Sequence, residues 1–185
     1  PVMEKRFRDW GTLKYLLRGV EKHMPFVSNV FLVVSHESQV PQWIDKNVVR
    51  VVLHKDFIPE TLLPTFNCNP IEMHLHNIEG LSEEYIYFND DLFPVADSRP
   101  EDFYRDGKAV LGFSRHLLAG GMFKQICRNS DRMARGLLSM PDSFCFLRPQ
   151  HSCQPMFRSV CSKVYDSLKD EILTSMTGTR TAANM

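Results

Sequence analysis

The sequence predicts an α/β protein in which a mostly parallel sheet is flanked by helices, within a single domain of 185 residues. Three observations predict it. Val30-Phe31-Leu32-Val33-Val34 and residues 48–53 are apolar, largely β-branched runs without polar alternation, as in strands covered on both faces. Only Pro41 and a short polar stretch separate them, which favours parallel pairing. A third run, Tyr85-Ile86-Tyr87-Phe88, leads directly into Asn89-Asp90-Asp91, and parallel sheets gather ligands just beyond the carboxyl ends of their strands.

Taken in order, Asp9-Trp10-Gly11 opens onto Leu13, Leu16, Leu17, Val20 and Met24, the apolar stripe of an amphipathic helix that Pro25 helps to stop. Beyond Pro59 and Pro64, the stretch from Asn69 through Pro70, Ile71, Glu72, Met73, His74, Leu75 and His76 places a proline in a helix's first turn, and Gly80 would end that helix. A fourth short strand is expected over residues 109–113. Residues 117–148 are the hardest to read, with Gly120-Gly121 as a loop and residues 128–140 as a helix. Residues 155–173 resume helical spacing through Met156, Val160, Val164, Leu168 and Ile172. The polar clusters at residues 36–39, 54–56 and 89–91 each follow a strand and are expected on one rim.

Composition narrows the function classes. Hydrophobic residues make up 43% and charged residues 24%, with 22 basic against 22 acidic side chains, so the chain reads as a globular domain and not a tail. The basic residues are scattered among acids, which sets nucleic acid aside as a partner. No stretch reaches the ~20 apolar residues of a membrane span, and residues 1–8 lack the apolar core of a signal peptide. Five widely spaced cysteines without C-x-x-C suggest neither a disulfide framework nor a zinc knuckle, and fit a reducing compartment. A start at Pro1 and a stop at Met185, inside what reads as an element, lead us to expect an excised piece of a longer protein.

Asn89-Asp90-Asp91 could serve a hard divalent cation, although on the tripeptide alone a turn is the simpler reading. Glu72 and His76 lie four apart on one helical face, as an acid/base pair or, more simply, a solvated face. Arg6 and Arg8 could fork onto phosphate oxygens, against the plainer reading of solvated terminal residues. His151, in a loop before Pro155, is compatible with general-base work or with a surface histidine. Arg180 has no meaning from spacing alone. Cys68 and Cys153 lack the paired histidine and local motif of nucleophiles, and no Gly-rich phosphate loop occurs.

Several stretches in one order change these weights. Arg6-Phe7-Arg8-Asp9-Trp10-Gly11-Thr12-Leu13-Lys14-Tyr15, Gln39-Val40-Pro41-Gln42-Trp43, His54-Lys55-Asp56, Leu63-Pro64-Thr65-Phe66-Asn67, Ile71-Glu72-Met73-His74-Leu75-His76 and Tyr87-Phe88-Asn89-Asp90-Asp91 resemble the second motif block of the Stealth proteins, over residues 1–105. That family includes bacterial capsular polysaccharide phosphotransferases and the animal enzyme that tags lysosomal glycoproteins with N-acetylglucosamine-1-phosphate. His151, Pro155 and Arg158 resemble the third block, over residues 149–173, with Cys153 where a proline is usual. Arg180 and Asn184-Met185 resemble the start of the fourth, over residues 177–185. The first block, a strand carrying Trp-Val-Asp-Gly, is absent from this sequence. Its aspartate is expected to face the same site, so incomplete binding or inactivity of the segment alone is an expectation.

The resemblance implies a Rossmann-like nucleotide-sugar transferase fold of GT-A type, incomplete here, and a sugar-1-phosphate transferase in capsular or exopolysaccharide synthesis. Hexose-1-phosphate, specifically N-acetylhexosamine-1-phosphate, would pass from a UDP-sugar to a glycan hydroxyl. Glu72, Asp91, His151 and Arg180 would be catalytic, Asp90 and Asp91 would hold Mg²⁺ or Mn²⁺, and Asn89, Arg6 and Arg8 would bind substrate. A cytoplasmic setting is expected, with peripheral attachment at the bacterial inner membrane left open. Two rivals stand beside it: a glycosyltransferase that attacks the anomeric carbon and releases UDP, and a non-catalytic glycan-binding fragment.

Overall fold

The stripe of leucines and Val20 folds as α1 (Leu13–His23), which buries Leu16 and Gly19. In the computed structural model, residues 9–176, 181, 182 and 184 are described. Gly19 is fixed by a close approach: a Cβ there would lie 2.6 Å from the Pro94 carbonyl oxygen, so any side chain would push α1 off the loop that carries Pro94.

Next come β1 (Val30–Val34), β2 (Val49–Leu53) and α2 (His54–Phe57), with Val30 opposite Val49 and Val34 opposite Leu53 in a parallel ladder. α3 (Cys68–His74) starts where expected, continues into the 3₁₀ turn Leu75–Asn77, and is capped by the Asn67 side chain accepting from the Asn69 N–H at 3.2 Å. Such a cap stabilises a helix by about 1 kcal/mol. After it come β3 (Glu84–Tyr87), α4 (Pro100–Phe103), β4 (Tyr104–Arg105), β5 (Lys108–Ala109) and β6 (Phe113–His116). The chain closes with α5 (Met122–Leu137), β7 (Phe146–Pro149), β8 (Gln154–Phe157), α6 (Arg158–Ser167) and α7 (Lys169–Ser175).

The architecture is mixed α/β, and the expectation of a mostly parallel sheet needs correcting. Among the described residues the strands form four two-stranded ladders, and only β1–β2 is parallel. β3 pairs antiparallel with β8, Tyr87 opposite Gln154 and Glu84 opposite Phe157. The cause is Pro155: proline pushes its predecessor into extended backbone, so residues 154–157 make a strand and the helix expected over residues 155–173 begins only at Arg158. The strand expected over residues 109–113 is likewise divided, with residues 110–112 outside both β5 and β6. The helix expected over residues 128–140 starts earlier, at Met122, behind Gly121 at φ +85.

The core explains why β1 and β3 belong together without touching in a ladder. Phe57, Ile58, Leu75 and Ile78 form its buried centre, and Phe31 and Val33 of β1 pack against it alongside Tyr85 and Tyr87 of β3. Full burial of an apolar side chain such as Ile58, Leu75 or Ile78 contributes about 1.5–3 kcal/mol. No helix among the described residues is long and apolar enough to cross a membrane.

Candidate active site

Antiparallel pairing of β3 and β8 sets the site's geometry. Because Tyr87 faces Gln154, residues just after β3 and just before β8 leave the ladder at the same end. There His151 Nε2 lies 3.0 Å from Asp91 Oδ2 and 3.2 Å from Oδ1. The imidazole is 61% exposed and the carboxylate 65%. At that exposure the pair adds little to stability, and both groups are open to a ligand.

A second arm reaches the same loop from α3. The Tyr87 hydroxyl donates to Asn89 Oδ1 at 2.7 Å and lies 3.4 Å from Glu72 Oε1. Burial first, then the negative charge of Glu72, pushes the Tyr87 phenol far above its ordinary range. It therefore stays a neutral donor that fixes the Asn89 amide. In the sequence Tyr87 stands as a strand residue and as part of the Tyr87-Phe88-Asn89-Asp90-Asp91 stretch, with no site role of its own. Its place as the last strand position before an acidic loop was the one signal of this role.

The two histidines of α3 and the following turn answer the question left open for Glu72 and His76. His76 is 6% exposed and His74 fully buried, so the solvated face is corrected: both rings pack against Tyr165 of α6, with ring centroids 5.3 and 4.8 Å from it. His74 Nδ1 lies 2.6 Å from the Pro70 carbonyl and Nε2 lies 3.1 Å from the Tyr165 hydroxyl. A neutral ring protonated on Nδ1 satisfies both partners. Burial lowers the pKa of both histidines. This cluster joins the helix carrying Glu72 to the helix that follows β8.

The acidic loop is tied down on its far side. Ser98 N–H donates to the His23 carbonyl at 2.9 Å, His23 Nδ1 meets Asp97 Oδ1 at 2.7 Å, and Pro94 rests on Gly19. A separate buried amide pair, Asn67 Nδ2 to Asn184 Oδ1 at 3.2 Å, anchors the end of the chain to the cap of α3. The Asn184 carbonyl accepts in turn from Asn129 Nδ2 at 2.9 Å.

Of the residues singled out from sequence, Glu72, Asn89, Asp91 and His151 are thus linked at one end of the β3–β8 ladder, with the exposed Asp90 beside them. Arg6, Arg8 and Arg180 lie outside the described residues. Burial pushes the Cys153 thiol up, which keeps it protonated and unreactive at neutral pH. No three His, Cys, Asp or Glu side chains converge as a cation cage among the described residues. Asp90 and Asp91, adjacent on the exposed loop, are of the ligand type that a hard cation takes one or two at a time, with water and substrate phosphate completing its shell.

Residues 6–111, more than half of the chain, match the family model described as Stealth protein CR2, conserved region 2. The receptor polysaccharide phosphotransferase WefC of Streptococcus oralis is 46% identical over 104 residues, which cover 55% of this chain and 31% of that protein. The capsular polysaccharide phosphotransferase eps5J of Streptococcus thermophilus is 42% identical over 108 residues, 57% of this chain and 44% of that protein. The exopolysaccharide phosphotransferase cps2G of Lactiplantibacillus plantarum is 46% identical over 103 residues, 55% and 30% respectively. The chain thus spans less than half the length of these relatives.

Proposed function

Because the chain belongs to the Stealth family, we propose that it carries much of the active site of a sugar-1-phosphate transferase acting in capsular or exopolysaccharide synthesis. Hexose-1-phosphate, in the form of N-acetylhexosamine-1-phosphate, passes from a UDP-sugar to a glycan hydroxyl. The acceptor oxygen attacks the phosphorus that bears the sugar, the P–O–P bridge breaks, and UMP leaves. What supports this reading above all is the Asp91–His151 contact of 3.0 Å at the exposed end of the β3–β8 ladder. With the Nε2 hydrogen held by Asp91, the neutral ring keeps its lone pair on Nδ1, which takes the proton of the acceptor hydroxyl.

Glu72 acts through Tyr87, holding the hydroxyl that orients Asn89. Asp90 and Asp91 would hold Mg²⁺ or Mn²⁺, which supplies charge neutralisation on the donor diphosphate. Arg180 is proposed to offset charge on the transferred phosphoryl group, with Arg6 and Arg8 as further phosphate ligands. A nucleotide-sugar fold of Rossmann or GT-A type remains part of this proposal, since β1 and β2 supply a parallel pair beside the site.

The deciding experiment supplies the full-length protein with UDP-N-acetylhexosamine, a glycan acceptor and Mg²⁺ or Mn²⁺, with and without EDTA, and identifies the nucleotide by chromatography. UMP is expected, with loss of turnover in EDTA. UDP as the sole product would instead establish a glycosyltransferase.

A further inference from the structure

Phe66 is 85% exposed between two buried neighbours, Thr65 and Asn67. A lone apolar side chain on a surface is ordinary. What sets this one apart is a loop whose hydrogen bonds hold it there. The Thr65 hydroxyl donates to the Asn67 carbonyl at 3.2 Å and accepts from the Asn67 N–H at 3.1 Å, which fixes the backbone on both sides of Phe66. The Asn67 side chain is held in turn, accepting from the Asn69 N–H and donating to buried Asn184. Three and four residues earlier, Leu63 and Leu62 pack against the core around Phe57. An apolar place thus lay within reach of a ring that the loop directs outwards.

The ring stands beside the site. Asn67 has extended backbone, with φ −111 and ψ 130, and side chains alternate in direction along such a chain. With Thr65 and Asn67 turned inwards, Phe66 and Cys68 share the outer side. Cys68 opens α3 four residues before Glu72 and on the same helical face, and Glu72 Oε1 lies 3.4 Å from the Tyr87 hydroxyl that holds Asn89. Cys68 is also among the groups that raise the pKa of the Tyr87 phenol, after burial and Glu72. Four helical residues advance about 6 Å and two extended ones at most about 7 Å, so Phe66 lies within about 13 Å of Glu72 along the chain. A nucleotide sugar, or a pair of linked pyranoses, spans that gap.

We propose that Phe66 is a stacking platform for an uncharged ring of the substrate, either the uracil of the donor or a pyranose of the glycan acceptor. Both present a broad, largely apolar face of the kind that packs on a phenyl ring. The fixed loop matters because an aromatic already held in place incurs no ordering cost when the ligand arrives. Asn89, Asp91 and His151 supply polar and charged groups, and Phe66 adds the apolar surface that ligand sites set beside them. The proposal rests on the nucleotide-sugar and glycan substrates of the reading above, and is independent of which bond is broken.

Calorimetric titration of the full-length protein with UMP and, separately, with the glycan acceptor tests it, alongside urea unfolding. Removal of a stacking ring lowers affinity by at least about fivefold. Phe66→Ala is expected to weaken UMP or the glycan by that factor with an unchanged urea midpoint, and the ligand affected identifies the ring that stacks. Phe66→Trp, which keeps a flat face, should bind as the wild type does, and Phe66→Leu, which lacks one, should bind as Phe66→Ala does. Unaltered affinity for both ligands in Phe66→Ala overturns the proposal, as does a wild-type protein that binds neither. Phe66→Leu at wild-type strength or Phe66→Trp as weak as Phe66→Ala overturns it too. So does a lower urea midpoint in Phe66→Ala, which would make the ring part of the packed protein. Release of UDP in place of UMP would overturn the reaction and leave this test standing.

Discussion

Acidification below neutrality should lower the stability of this protein by way of His74 and His76. Burial lowers the pKa of both rings in the folded state, whereas histidines of the unfolded chain titrate near 6.5. Above that pH both states are neutral and stability is level. Below it the unfolded chain binds protons that the folded chain excludes, so stability falls as pH falls, down to the folded-state pKa values. Each histidine can contribute at most about 1.4 kcal/mol per pH unit, or about 2.7 for the pair. His54, also lowered by burial, adds a slope of the same sign, so the informative quantity is the difference made by one substitution. Urea unfolding followed by circular dichroism at intervals from pH 7.5 to 5.5 measures it. His74→Gln should remove up to about 1.4 kcal/mol per pH unit of slope. It should also cost about 1–3 kcal/mol at every pH, because the Pro70 carbonyl and the Tyr165 hydroxyl lose well-placed partners. A wild-type protein with level stability across this range, or a variant retaining the full slope, would refute the reasoning.

Three further outcomes are expected. His151→Ala and Asp91→Ala should each lower transfer by the full-length protein at least about 100-fold, yet shift unfolding by no more than about 0.5 kcal/mol because both side chains are exposed; near-normal turnover in either removes that residue from the mechanism. Tyr87→Phe should cost about 1 kcal/mol of stability and roughly tenfold in turnover by freeing the Asn89 amide, and steady-state kinetics with a parallel melt would show whether the two losses separate. Asn67→Ala loses both the cap of α3 and the partner of buried Asn184, at a cost of about 1–3 kcal/mol in urea unfolding; Asn67→Asp, which keeps the cap, should recover part of that loss.

Local rules made the first half of the chain legible. The leucine stripe of α1, the β-branched run of β1 and Pro70 in the first turn of α3 each bury or cap something nearby, so spacing alone placed them. What failed depended on partners distant in sequence. Residues 155–173 have helical spacing throughout, but Tyr85 and Ile86 recruit Met156 and Pro155 into a ladder across about 70 positions, and no periodicity within the segment records that pairing. The site divides in the same way. Asn89-Asp90-Asp91 stood out because acidic residues followed an apolar strand, whereas the Tyr87 link between Glu72 and Asn89 depends on α3 lying against β3. His76 was misjudged because a 3.6-residue count takes no account of the passage from α3 into a 3₁₀ turn, which swings its ring inward onto Tyr165.

The contact of Gly19 with Pro94 has a mechanical consequence. The acidic loop is moored at two points, to β3 at its beginning and to α1 through Pro94, Asp97 and Ser98 at its end. A side chain at residue 19 would therefore act on the loop some three to seven residues beyond Asp91, where α1 holds it. Residue 19, which touches no reacting group, thus provides the seat on which the far end of the carboxylate's loop rests.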